Sequence, residues 1–519
     1  MIPETVDVVV IGSGLGGLSC AGLLARYGLE VLVCESHSIA GGAAHSFSRQ
    51  GFSFDSGPSL HSGLDGKRSP NPMRHVLDAL GESLPCAKYD SWGVFLPEGE
   101  FNFRIGADAF CEVLEELGGP GAIPQWRRLQ AKMKPLATAA TAMPAGALRS
   151  DLGVLQTVGH FAPNLLRSLP SLGKMAGSFE PVMRQFVDNP FILRWLDLLC
   201  FLLAGVPAKG ISTAEMAFMF AEWYEPDVQL DYPMGGSGAL IGALVRGLEK
   251  HGGQLQLNAH VDQVLVENGR AAGVVLRNGQ RVRATQAVVS NASVWDTLGL
   301  LPADSVPAKF RRDRQATPPC ASFMHLHLGI NATDLPAAVE TKLQCHYMSL
   351  LNWEMGIEAP QNAVLISIPS VLDPSLAPPG KHAVHVYTPG NEPYEKWEGL
   401  DRKSDKYQQQ KEQRSQVMWQ ALERVIPDVR QRTEVTMVGT PLTHERFLRR
   451  SRGSYGPALY AGDTLFPGPK TPLPGLVCCG DSTFPGIGVP AVAASGMIAA
   501  HTLVPTSKHI AMLKEVGLW

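Results

Sequence analysis

The stretch Val8-Val9-Val10-Ile11-Gly12-Ser13-Gly14-Leu15-Gly16-Gly17 decides the fold. Val6–Ile11 reads as a buried strand with a continuous β-branched run from Val8 to Ile11, Leu18–Tyr27 has helical periodicity, and Val31–Glu35 reads as a second buried strand. A strand, a helix and a strand within about thirty residues make a parallel pair with a crossover helix. The intervening glycines fit G-x-G-x-x-G. Gly12 permits the tight turn, Gly14 lets backbone N–H groups approach a pyrophosphate, and Gly17 allows close packing of helix on strand. Glu35 closes the second strand 18 residues beyond Gly17, near the spacing of about 20 expected of an acid that grips a ribose hydroxyl. With the diglycine Gly41-Gly42 following, the segment predicts an adenine-dinucleotide site.

Composition narrows the rest. The 519 residues suit two to four domains, and 45% apolar content excludes disorder. Charged residues are only 18%, against roughly 25% in typical soluble domains, which suits a lipid neighbour. Lys plus Arg number 45 and Asp plus Glu 48, so no basic excess exists for nucleic acid. Nine cysteines without a C-x-x-C pair argue against structural zinc, a thioredoxin-like site or a disulfide framework, and no metal site is expected. The longest apolar stretch, Phe191 to Leu203, is interrupted by Arg194 and Asp197 and falls short of the roughly 20 residues of a spanning helix.

From about Gly106 to Phe220 the pattern is mainly helical, with one helix over Asp108–Leu117 and one or two more over Val182–Leu203. Between Ala145 and Ser178, Asp151 is the sole acid among Leu, Val, Ala, Phe and Met, with Pro163 and Pro170 breaking the periodicity. This segment reads either as a cap or as a surface that dips into an anionic bilayer. Ala239–Lys250 is an amphipathic helix. Strands follow at Gln254–Asn258, Gln263–Glu267, Ala271–Leu276, Arg281–Ala284 and Ala287–Ser290, with a hairpin signal at Asn278-Gly279, and then at Ala321–Gly329, Ala363–Ile368 and His382–Tyr387. A solvated helix is expected from Glu395 to about Val425. The chain closes with a strand, Leu476–Cys479, then Gly480-Asp481-Ser482-Thr483-Phe484-Pro485-Gly486-Ile487-Gly488-Val489 and a small-residue helix, Pro490–Val504.

A late strand ending in Gly-Asp resembles the second flavin contact of FAD-dependent, amine-oxidase-like proteins. Gly480 would close on the ribityl chain, Asp481 would accept hydrogen bonds from the cofactor, and Gly486, Gly488 and Val489 would open a helix whose positive end faces the isoalloxazine. No second G-x-G-x-x-G indicates a nicotinamide domain. Tyr232-Pro233-Met234-Gly235-Gly236-Ser237-Gly238, Ser290-Asn291-Ala292-Ser293, Leu326-His327-Leu328-Gly329, Ile366-Ser367-Ile368-Pro369 and Val438-Gly439-Thr440-Pro441 with His444 extend the likeness. Together they resemble the carotenoid isomerase (prolycopene isomerase-like) branch of the phytoene desaturase superfamily, across nearly the whole chain.

The resemblance implies an α/β fold: a Rossmann-type, p-hydroxybenzoate-hydroxylase-like FAD domain, a mixed β-sheet substrate domain and a helical membrane-facing lid. The expected division is 1–105, 235–300 and 435–519 for FAD, 106–234 for the lid and 301–434 for substrate. It implies cis–trans isomerisation of a carotenoid by reduced FAD without net redox change, with peripheral lipid contact. The location implied is a plastid, the transit peptide lying outside this chain, or a cyanobacterial membrane. The sequence leaves the oligomeric state open. One departure keeps water addition, desaturation and saturation open as reactions: Ile487 stands where the isomerases carry Gln. Glu222, at a helix end, and His327, on a strand, are the candidates for proton transfer, against a solvated carboxylate and a satisfied core histidine. His325 shares the face of His327. His444 with Arg446 is a candidate contact for flavin or a hydroxylated ring end. Cys478-Cys479 reads as packing, and the tail Ile510–Trp519 suits either a membrane interface or the protein's own surface.

Overall fold

The computed structural model describes residues 2–66, 69–462 and 466–519. Thr5–Ile11 lies at the centre of a seven-stranded sheet, parallel to Val31–Cys34 on one side and to Arg281–Ser290 on the other. The helix Leu15–Arg26 crosses between the first two strands, with Leu18, Leu23 and Leu24 fully buried. Truncating any of these leucines to Ala removes about 2–5 kcal/mol.

Arg281–Ser290 forms one strand where the sequence pattern suggests two. Its first half pairs with Arg270–Leu276, and its last three residues pair in parallel with Leu476–Cys478. The change of neighbour falls at the polar pair Thr285-Gln286, which interrupts the apolar pattern without ending the strand. This second pairing draws the carboxy-terminal segment onto the amino-terminal sheet.

The second sheet runs Thr433–Gly439, Ser322–Asn331, Lys381–Glu392, Ala363–Ser367, His346–Leu350, Ser91–Leu96 and Gly99–Arg104. The hairpin Ser91–Arg104 and the strand Thr433–Gly439 therefore belong to this sheet, although they fall within the expected 1–105 and 435–519 segments. A three-stranded sheet joins His61–Ser62, Leu230–Pro233 and Cys86–Tyr89.

Helices of residues 109–223 pack over one end of the second sheet around Phe103, Phe110, Trp126 and Trp195, all fully buried. The region expected as one or two helices, Val182–Leu203, holds two, Glu180–Arg184 and Pro190–Ala204. Asn189 caps the second by accepting from Ile192 N–H, with Pro190 at its first position. Val154–Met175 is a single helix that continues through Pro163, although an interior proline costs about 3 kcal/mol. The tail docks on the protein: Met512 and Leu513 are buried, and Trp519 stacks on His160 at 4.0 Å. No described helix is long and apolar enough to cross a membrane, and the described residues include no cluster suited to a metal ion.

Candidate functional site

At the carboxyl ends of the parallel strands, where open α/β sheets place their ligands, lies a cavity of about 570 Å³. Gly12, Gly14, Glu35, Gly41 and Gly42 line it from the amino-terminal segment, and Gly480, Asp481, Gly488 and Val489 line it from the carboxy-terminal segment. Gly17 and Gly486 do not reach the lining. A Cβ on Gly17 would fall 2.2 Å from the carbonyl oxygen of Gly12, so this glycine serves helix–strand packing, and one on Gly486 would meet the ring of Phe466.

The glycines create room for backbone to meet backbone. Gly12 and Gly41 have φ of +91° and +119°, in the region that glycine adopts without strain. A Cβ on Gly16 would come within 2.9 Å of Gly480 Cα. Helices Leu15–Arg26 and Val489–Thr502 both begin on a glycine, without a side-chain cap. Their first-turn N–H groups and positive dipole ends are thereby left for an anionic or electron-rich ligand.

Glu35 holds the turn together. One carboxylate oxygen accepts from Ser13 N–H at 2.8 Å and Ser13 Oγ at 2.7 Å, and the other accepts from His37 N–H at 2.7 Å. The second oxygen also accepts from Ser36 Oγ at 3.2 Å, a rotatable hydroxyl that a ribose hydroxyl would displace. Asp481 forms an ion pair with Arg450 at 2.6 Å, and both line the cavity.

Asn291, in the motif Ser290-Asn291-Ala292-Ser293, stands where both ends of the chain meet. Its amide lies within 2.6–2.8 Å of where Cβ atoms on Gly14, Gly16 and Gly480 would stand. It follows directly on the buried strand Arg281–Ser290, and a polar residue at the carboxyl end of a parallel strand is the signal that marks it.

The far wall consists of rings. Phe323 and His325 alternate on Ser322–Asn331, so they share a face, and Tyr387 lies opposite His325 in the adjoining strand. His444, Tyr455 and Ile487 complete this wall. Burial holds His444 down at about 3 and His325 well below its ordinary range, so both imidazoles are neutral at physiological pH. His444 Nδ1 lies 2.8 Å from the carbonyl oxygen of Gly453, whereas Arg446 packs over Phe447.

The two candidates for proton transfer lie outside the lining. His327 is buried behind Phe47 and Phe54, with its Nε2 on the carbonyl oxygen of Asp55 at 3.2 Å and its ring stacked on His385 at 4.2 Å. Glu222 is not a solvated helix-end carboxylate. The strand His61–Ser62 covers it, Ser62 Oγ donates to Oε2 at 2.5 Å, Oε1 is buried without a partner, and burial raises its carboxyl to about 7.

The glycine cradle, the two uncapped helix ends and the acid at the end of the second strand suit a flavin dinucleotide, and the comparison with known families agrees. Residues 15–504 match the family described as flavin containing amine oxidoreductase. The chain belongs to this family. This flavin containing amine oxidoreductase is 32% identical over 505 residues to prolycopene isomerase 2, chloroplastic, of an Oncidium hybrid cultivar, covering 96% of this chain and 84% of the orchid protein. It is 26% identical to the lycopene-forming phytoene desaturase of Pseudescherichia vulneris, covering 96% and 98% of the two chains. The solved structure of putrescine oxidase bound to putrescine superposes with a TM-score of 0.62 at 17% identity, covering 98% of this chain and 99% of that one. That likeness establishes the shared mixed α/β fold. The protein is a flavin-dependent enzyme.

Proposed function

We propose that the protein is an FAD-dependent isomerase that converts a cis polyene of the carotenoid class to a trans isomer without net oxidation. The observation that carries this reading is the 32% identity to a prolycopene isomerase across 96% of the chain, against 26% to a phytoene desaturase. The cavity supports it: one wall is rings and Ile487, and the charged pair Arg450–Asp481 neutralises itself. A ligand with almost no hydrogen-bonding groups suits such a surface.

In this reading Gly12, Gly14, Gly41 and Gly42 admit the pyrophosphate, Glu35 takes the ribose, and Gly480, Asp481, Gly488 and Val489 meet the ribityl chain and ring, with Gly17 and Gly486 supporting them. The bound, reduced cofactor supplies electron density that lowers the bond order of a conjugated C=C. Phe323, Tyr387 and Tyr455 orient the polyene and exclude water. Glu222 and His327 stand behind this wall and have no assigned contact with the substrate. Residues 106–234 serve as the lid of the proposed FAD and substrate domains.

Lipid contact belongs to the same reading. Leu152, Leu155 and Leu166 are 85%, 70% and 63% exposed. Leu155 and Leu166 are eleven residues apart on one helix, three turns and nearly the same face. Arg167 and Lys174 accompany them, and no acid occurs from Leu152 to Phe179, which suits an anionic leaflet. A plastid or cyanobacterial membrane provides both the lipid and the polyene.

The test is anaerobic incubation of the flavin-loaded protein with a poly-cis carotenoid in liposomes. A trans product of unchanged mass is expected. A product that has gained one water supports hydration, the reading that Ile487 leaves open, and a product that has lost hydrogen supports desaturation.

A further inference from the structure

Among the described residues, His45, His325, His327, His385 and His444 cluster around the ring-lined wall. Three of them have the proton fixed by a backbone carbonyl. His45 Nδ1 faces Gly42 O at 2.8 Å, His327 Nε2 faces Asp55 O at 3.2 Å, and His444 Nδ1 faces Gly453 O at 2.8 Å. A carbonyl oxygen only accepts, so the nitrogen facing it carries hydrogen and the other nitrogen of the neutral ring is bare.

His325 and His385 are different. His325 Nδ1 meets His385 Nε2 at 3.0 Å, and the remaining nitrogens, His325 Nε2 and His385 Nδ1, are buried without a partner. Both residues are more than nine-tenths buried. No carbonyl dictates which ring donates. When His385 donates, His325 carries its proton on Nε2, and when His325 donates, its Nε2 is a bare acceptor. His325 lines the main cavity. His385 lines a second space of about 10 Å³ with Ser59, Ser367 and Asp55, room for about one water.

We infer that His325 and His385 form a two-tautomer proton relay opening into the main cavity. His325 Nε2 meets the ligand, and His385 is a positioning residue that sets, through His325 Nδ1, whether that nitrogen carries a proton. The identity of the ligand as a polyene rests on the function proposed above.

The step balances as follows. The His325 Nε2–H bond breaks and a C–H bond forms on a polyene carbon, with the electron pair coming from the π system. The His385 Nε2 proton moves to His325 Nδ1, and a solvent proton, passed by water in the smaller space, arrives at His385 Nδ1. Both imidazoles end neutral with their tautomers exchanged, and the polyene holds the positive charge. Bond order falls beside the cationic carbon, the chain rotates, and the reverse transfer returns one proton to solvent. Nothing is oxidised or reduced.

The experiment uses the flavin-loaded protein in two arms. With poly-cis carotenoid in liposomes made in D₂O, the relay places deuterium in the trans product. His385→Phe and His385→Gln, neither of which can relay, are expected to abolish that label and lower kcat about 100-fold, with KM and flavin content within about twofold of the parent. In the second arm, ¹⁵N-histidine NMR of the same protein without polyene shows both His325 tautomers in the parent and a changed ratio in His385→Phe, which offers Nδ1 neither donor nor acceptor. An unlabelled trans product, a His385→Gln variant with parental kcat, or a single fixed His325 tautomer in the parent would overturn the relay. Absence of any isomer together with two His325 tautomers would count against the proposed function and leave the relay standing.

Discussion

Gly16 and Gly480, near opposite ends of the chain, meet backbone to backbone: a Cβ on Gly16 would lie 2.9 Å from Gly480 Cα and 2.8 Å from Asn291 Oδ1. Neither the backbone nor the amide can yield without opening the junction between the two segments. Gly16→Ala is therefore expected to reduce the flavin-to-protein ratio at least tenfold, read from the visible absorbance of purified protein. Gly159→Ala, at a position with nothing within 4 Å, should keep the parental ratio. Equal ratios in the two variants would contradict the close approach.

Glu35 satisfies four donors, Ser13 N–H, Ser13 Oγ–H, Ser36 Oγ–H and His37 N–H. Hydrogen bonds to a charged group contribute about 1.5–3 kcal/mol each, and in the proposed site the same carboxylate also holds the ribose. Glu35→Ala should weaken flavin binding by about 10- to 100-fold in equilibrium titration of the apoprotein, with Glu35→Gln intermediate. A Glu35→Ala protein that binds flavin normally removes the ribose assignment.

Burial raises the Glu222 carboxyl from 4.5 to about 7. Between those values the folded protein retains a proton that the unfolded chain has released, so this group's contribution to stability declines as pH rises through the interval. Glu222→Gln eliminates that titration. The stability of the variant relative to the parent should therefore increase from pH 4.5 to 7, by about 1–3 kcal/mol, in urea unfolding of the flavin-loaded proteins. The buried histidines act in the opposite sense. His61 and His327, held down at about 4 from 6.5, withdraw stability from both proteins as pH falls from 6.5 towards 4, and cancel in the difference. A gap independent of pH would mean that Glu222 is ionised in the fold.

The proposed lid contact predicts that Leu155→Ser and Leu166→Ser each lower vesicle association about tenfold, since burying a leucine contributes about 1.5–3 kcal/mol. Flotation with anionic vesicles measures this, and raised salt should weaken the binding further. Unchanged flotation of the double variant would place lipid contact elsewhere or nowhere.

Much of this architecture is legible in local sequence. The glycine turn, Glu35 and the Gly480-Asp481 segment announce themselves because each depends on a few contiguous residues and a flanking strand. The ring wall does not, because Tyr387 stands beside His325 only once the register of two strands more than fifty residues apart is set. For the same reason the sequence nominates His327 on a shared motif, while the strand register leaves it behind Phe47 and Phe54 and brings His325 to the cavity. Glu222 reads as solvated from its own helix and is buried by a strand 160 residues earlier. Asn291 gains its role only when both ends of the chain converge on it.

The most direct measurement of the central claim counts flavin electrons against isomerised polyene. Flavin-loaded protein is reduced once, kept anaerobic with excess poly-cis carotenoid, and followed by absorbance while the product is quantified. Many trans molecules per flavin, with the reduced spectrum intact at the end, is the result expected of a reaction without net redox change. One product per flavin, with the oxidised spectrum returning in step, would contradict it.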